Sequence, residues 1–165
     1  PKLDAGPVLI QSKIKITKEI NLKELSAKMS ELGAKLILDT LKLVENKKVN
    51  FIEQNESEAT YAKKIEKIET RINWKDDAGK ILAKINAFCP NPGCWFELDG
   101  IRMKIIKAKE IIIKGAPGTI LDEKLTIACS KNAIQIIELQ KEGKQKMTTN
   151  EFLRGNKIKI GQSLN

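Results

Sequence analysis

The sequence predicts an α+β protein in two parts: a strand and helix broken out of an α/β unit, followed by a small β-barrel carrying one helix. Three observations predict it. The hydrophobic period is helical near the start and again near residue 80, the second half breaks into short β-branched runs between turn residues, and the middle has no sustained apolar period. With 165 residues, 41% hydrophobic and 31% charged, the chain has material for one ordinary domain or two small ones.

Residues 7–16 have the β-branched content and late alternation of a strand, with Ile14 and Ile16 on one face and Lys13 and Lys15 on the other. From Asn21 to about Leu43, Leu22, Leu25, Met29, Leu32 and Leu36 recur at helical spacings, and Asn21 with Glu24 makes a capping pattern. A strand and helix alone cannot cover their apolar faces, so residues 1–48 read as a piece of an α/β domain truncated at its start. Residues 49–72 are polar and read as a linker. Asp76 or Asp77 then caps a helix with the stripe Ala78, Ile81, Leu82, Ile85 and Phe88, stopped by Pro90-Asn91-Pro92-Gly93. Strands are expected near Trp95–Leu98, Ile101–Ile113, Thr119–Leu121, Leu125–Ala128, Ile134–Leu139 and Lys157–Ile160, which makes residues 73–165 a small barrel. Alternation slips at Ile105-Ile106, where a bulge or bend is expected.

The composition removes whole classes of chemistry. There is no histidine, so His-based acid/base catalysis and His metal ligation cannot be built from this chain. Cys89 and Cys94 would need Cys129 and a carboxylate to hold a structural zinc, and the three read instead as small buried hydrophobes, with no metal expected. No apolar run reaches membrane-helix length and nothing resembles a secretory leader, so the expected compartment is the cytoplasm, with no membrane partner. Thirty Lys and Arg against 21 Asp and Glu give a net charge of +9. Residues 141–165 concentrate it, with Lys141, Lys144, Lys146, Arg154, Lys157 and Lys159 against Glu142 and Glu151. A polyanionic partner is the natural reading of that tail. Trp74, Trp95 and Phe88 each adjoin an apolar stripe and are assigned to the core.

Several blocks together resemble methionyl-tRNA formyltransferases. They are Leu3-Asp4-Ala5-Gly6-Pro7, Gln54 with Thr60-Tyr61-Ala62, Arg71-Ile72-Asn73-Trp74, Ala87-Phe88 with Pro90, Pro92-Gly93 and Trp95, Ala116-Pro117-Gly118-Thr119, and Leu139-Gln140, Gly143-Lys144, Met147, Glu151-Phe152-Leu153 and Gly155. The resemblance runs end to end and implies the C-terminal half: the last strand and helix of a Rossmann-like formyltransferase domain, a linker, and an OB-like barrel. It implies that Asp4 is the active-site aspartate and that the formyl donor is 10-formyltetrahydrofolate, bound mostly by an N-terminal part this chain lacks. It also implies that the barrel's basic face holds initiator methionyl-tRNA. Lys63, Lys64 and Lys67 in the linker, Arg102 and Lys104 on the long strand, and Lys144, Lys146, Arg154 and Lys157 in the tail are the candidate tRNA contacts. With its Asn-x-His segment absent, the chain alone is expected to be inactive, and to pair with the missing half or self-associate through the exposed strand. The alternatives are a sugar-nucleotide formyltransferase, a formyltetrahydrofolate hydrolase-like protein, or a non-catalytic OB-type nucleic-acid module.

Overall fold

A computed structural model describes residues 3–164. Contacts divide the chain into two compact units, residues 1–17 with 24–64, and residues 18–23 with 65–165.

The first unit is built around one long helix, α1 (Leu22–Glu45), whose first two residues belong to the second unit. Leu, Lys and Glu are good helix formers, and Glu31 meets Lys35 one turn on at 3.0 Å. Leu25, Leu32, Leu36 and Leu43 share a half-buried stripe, yet no residue of α1 is fully buried. The strand expected at residues 7–16 does not form. Val8 alone pairs, exchanging two hydrogen bonds of 2.9 Å with Ile52, and residues 9–17 lie in no ladder. Alternation sets which way side chains point; it does not supply the neighbouring strand that backbone groups need. Residues 46–64 are irregular apart from one 3₁₀ turn, Glu56–Glu58, capped by Asn55.

In the second unit an antiparallel sheet is covered by two helices. After a 3₁₀ turn at Lys67–Thr70 comes α2 (Ala78–Phe88), where the Asp77 side chain accepts the Gly79 N–H at 2.7 Å and Ile81 and Ile85 are buried. Pro90 and Pro92 forbid its continuation. The strands are β1 (Cys94–Leu98), β2 (Ile101–Ile111), β3 (Thr126–Ala128), β4 (Ala133–Lys141) and β5 (Lys146–Thr148). Their order is β1-β2-β4-β3, with β5 also on β4. A last helix, α3 (Thr149–Gly155), follows β5 directly. The core joins Phe96, Met103, Ile105, Ile127, Ile134 and Leu139 of the sheet to Ile81, Ile85, Phe152 and Trp74, whose ring stands edge-on to Phe96 at 5.7 Å.

Four sequence expectations change here. The barrel is not closed: the ladders form an open five-stranded sheet, extended beyond β3 only by the single bridges Ile120 to Ile127 and Thr119 to Ser163. The unit has two helices rather than one, because α3 occupies part of the tail. Lys157–Ile160 is irregular, and the chain pairs slightly later, where the Ile120 N–H donates to Gln162 O at 2.9 Å and the Leu164 N–H to Gly118 O at 2.8 Å. β2 ends at Ile111, leaving Ile112 90% exposed. The slip at Ile105-Ile106 is present as register shifts between Ile105 and Ala108.

Candidate nucleic-acid interface and the Asp4 loop

Cross-strand partners share a face of a sheet, so the register of β1, β2, β4 and β5 writes out its surface. Cys94, Ile105, Leu139 and Met147 form one row against the core. The next row, Trp95, Lys104, Gln140 and Lys146, must face the other way. Glu97 opposite Arg102 continues that outward face, and Arg71 joins its edge by bridging to Trp95. Arg102 lies over the Trp95 ring at 4.2 Å and Arg71 at 5.5 Å, while the indole N–H donates to Lys67 O at 3.4 Å. Arg71 also meets Glu97 at 3.5 Å. Beside this row is a pocket of about 290 Å³ lined by Pro92, Gly93, Arg102, Lys104, Gln140 and Gly143, among others. Lys104 Nζ donates to Asn91 at 3.3 Å across its rim, and Gln140 donates to Lys144 O at 2.8 Å in the β4–β5 turn. Gly93 has φ +83° and lies under the Lys104 side chain, so a side chain there would displace the lysine.

In the first unit, Gln54 Nε2 donates to Asp4 O at 2.9 Å and Gly6 O at 2.6 Å, pinning the Asp4 loop to the 52–54 segment. Asp4 adopts φ +55°, a left-handed turn that aspartate tolerates, and its carboxylate is exposed. An open pocket of about 880 Å³ beside it is lined by Asp4, Gln54, Thr60, Tyr61 and neighbours. Every lining residue except Val8 is exposed.

A family profile described as "Formyl transferase, C-terminal domain" matches residues 64–157, more than half of the chain. The chain belongs to that family. Methionyl-tRNA formyltransferase of Bradyrhizobium diazoefficiens is 40% identical over 163 residues, 96% of this chain and 52% of that protein. Methionyl-tRNA formyltransferase of Pelagibacter ubique is 38% identical over 164 residues, 99% of this chain and 53% of that one. The chain thus spans about half the length of the curated relatives it matches. Among solved structures, a HypX variant from Aquifex aeolicus shares the fold at a TM-score of 0.71 with 23% identity, over 98% of this chain and 33% of its own. HypX in complex with tetrahydrofolic acid gives 0.69 at 22% identity, over 98% and 32%.

Within this formyl transferase domain the candidate cations are only partly brought together. Arg102, Lys104 and Lys146 share the outward sheet face, Lys144 tops the adjoining turn, and the Lys67 carbonyl anchors the indole. Arg154 is in the last turn of α3, and Lys157 lines a separate pocket of about 270 Å³ with Asp99, Lys141 and Phe152. Lys63 and Lys64 are exposed in the first unit. Sequence reasoning missed Arg71 and placed Trp95 in the core, whereas Trp95 is half-exposed on the polar face; Trp74 is buried and Phe88 packs on the core. The cue was Glu97, which shares a parity with Trp95 opposite to that of Cys94, Phe96 and Leu98. All three cysteines are buried, and burial pushes the Cys94 and Cys129 thiols up to about 12. Among the described residues no group of acidic and cysteine side chains is placed to hold a metal, and no helix is long and apolar enough to cross a membrane.

Proposed function

We propose that this chain is the tRNA-holding half of a cytoplasmic methionyl-tRNA formyltransferase, which moves the formyl group of 10-formyltetrahydrofolate to the amino group of initiator methionyl-tRNA. One observation carries the binding role: Arg71, Arg102, Lys104 and Lys146 gather on one open sheet face, where Glu97 and Glu138 are the acidic side chains. An OB-like face of this kind, open rather than closed, contacts phosphates and orients the RNA without reading its sequence. The similarity to methionyl-tRNA formyltransferases over nearly the whole chain supports the substrate. Residues 1–48 are then the end of the catalytic domain, 49–72 the linker and 73–165 the tRNA-binding domain. Lys63, Lys64, Lys67, Lys144, Arg154 and Lys157 extend the contact beyond the sheet face.

Asp4 is the catalytic residue this half supplies. As the methionyl nitrogen bonds to the formyl carbon and the bond to the folate nitrogen breaks, the amine gives up a proton and the departing folate nitrogen takes one, and a carboxylate can tune and orient the groups that carry them. The exposed, open lining of the Asp4 pocket does not make a folate site by itself, so no folate contact is assigned to this chain. In the complete enzyme, Asp4→Asn is expected to lower formylation by orders of magnitude with folding unchanged; activity within a few-fold of the parent would leave Asp4 a turn residue.

Salt tests the binding role. If three or four phosphates are engaged, log affinity for tRNA should fall against log salt with a slope of about −3. Changing Lys144, Lys146 and Arg154 together to Gln should flatten it, weaken different tRNAs about equally and leave thermal stability nearly untouched. An unchanged slope would turn the assignment toward a sugar-nucleotide substrate.

A further inference from the structure

Trp95 is a large apolar side chain on the polar face of its strand, where the core gives it no work. Its indole N–H is tied to Lys67 O, and Arg102 and Arg71 lie against its ring at 4.2 and 5.5 Å. Given the tRNA-binding role above, on which this inference rests, we propose that Trp95 is a positioning residue, whose ring holds Arg71 and Arg102 as a preset pair of guanidinium groups for phosphates of an RNA backbone.

Geometry favours phosphate over base. A guanidinium attracted to an aromatic ring through its charge keeps its N–H donors available at its edge for phosphate oxygens. An arginine free in solution loses much rotamer freedom on binding; one already held loses less, so more of each contact survives as affinity. A nucleobase seeking the same ring would first have to displace Arg102 at 4.2 Å. Glu97 fits the scheme as well, since at 3.5 Å from Arg71 and with both side chains substantially exposed it forms a weak ion pair that a phosphate can replace.

The experiment is a salt series of tRNA binding to the 165-residue chain, read by fluorescence anisotropy. Trp95→Leu should weaken binding about ten-fold at low salt and flatten the log-log slope by about 1.4 to 1.8, the loss of two phosphate contacts. Trp95→Phe, which keeps a ring face, should retain most of the slope. In the Trp95→Leu background, Arg102→Gln should cost less than in the parent, because the arginine has already lost its support. A structural role would instead lower the melting temperature without this coupling. Should Trp95→Leu fail to fold, Trp95→Gln, which also removes the ring, paired with Arg102→Gln reads the same coupling. The proposal is overturned if Arg102→Gln flattens the slope equally in both backgrounds, or if Trp95→Leu abolishes binding of free nucleosides while leaving the slope intact, which would make the ring a base platform. A parent chain that does not bind tRNA at all sinks the binding role itself; one that binds with a slope indifferent to Trp95 sinks only this inference.

Discussion

Gly118 shows how much one residue can carry. Its φ is +83°, its N–H donates to Ala128 O at 2.9 Å, and its carbonyl accepts the Leu164 N–H at 2.8 Å. A Cβ there would lie 2.6 Å from Leu164 O. Gly118→Ala therefore combines backbone strain with a clash against main chain, and urea unfolding should show a loss on the order of 2–3 kcal/mol; a loss within experimental error would mean the two segments separate easily. Cysteine reactivity gives a second residue-scale test. Buried thiols with values near 12 are almost wholly protonated at neutral pH, so a thiol reagent should label Cys94 and Cys129 only as fast as the protein opens, and rapidly in denaturant. Their burial was readable from composition and context, and Gly118 from its Pro-Gly turn. Arg71 was not: its place beside Trp95 depends on a bridge between residues 24 positions apart.

At the scale of elements, α3 begins with a reciprocal cap. Thr148 accepts the Glu151 N–H at 3.2 Å, and the Glu151 carboxylate accepts the Thr148 N–H at 2.7 Å and its hydroxyl at 2.8 Å. The backbone N–H first, then the hydroxyl and the nearby Arg154, hold the Glu151 carboxyl below the usual glutamate range. Because the value is lowered on folding, the stabilisation is complete above the ordinary glutamate value and is lost as pH falls through the lowered one. The stability difference between the parent and Glu151→Gln should thus be largest near neutral pH and shrink under acid conditions; a difference independent of pH would exclude the charge as its source. Thr148→Ala should cost about 1 kcal/mol by thermal melting, since it removes the hydroxyl half of the cap. The Thr-x-x-Glu signature was visible in the sequence, but the lysine-rich surroundings read as tail. α2 was legible throughout, because a cap, an apolar stripe and a proline stop all agree at the same boundaries.

For the whole molecule, the prominent feature is apolar surface. Ile37, Leu38, Leu41 and Val44 of α1 are each at least half exposed, although a soluble chain seldom leaves so many neighbouring aliphatic groups in water. With residues 9–17 in no ladder, self-association is expected through this helix rather than through a strand edge. Sedimentation across a concentration series should show a rising average mass, which Leu38→Lys with Leu41→Lys abolishes; a parent chain that stays monomeric throughout would show that the exposed side chains recruit nothing.

The sequence by itself determined the helices with clear periods, the buried cysteines, the bulge in β2, the absence of histidine chemistry and the family, because each is written in local spacing, composition or ordered motifs. Only the tertiary structure decided that residues 7–16 find no strand partner beyond Ile52, that the sheet stays open, and that Arg71, Trp95, Arg102, Lys104 and Lys146 meet on one face. Those are matters of pairing and register between distant segments. A period of two tells each strand which side is which, but hydrogen bonding between strands determines whose side chains become neighbours.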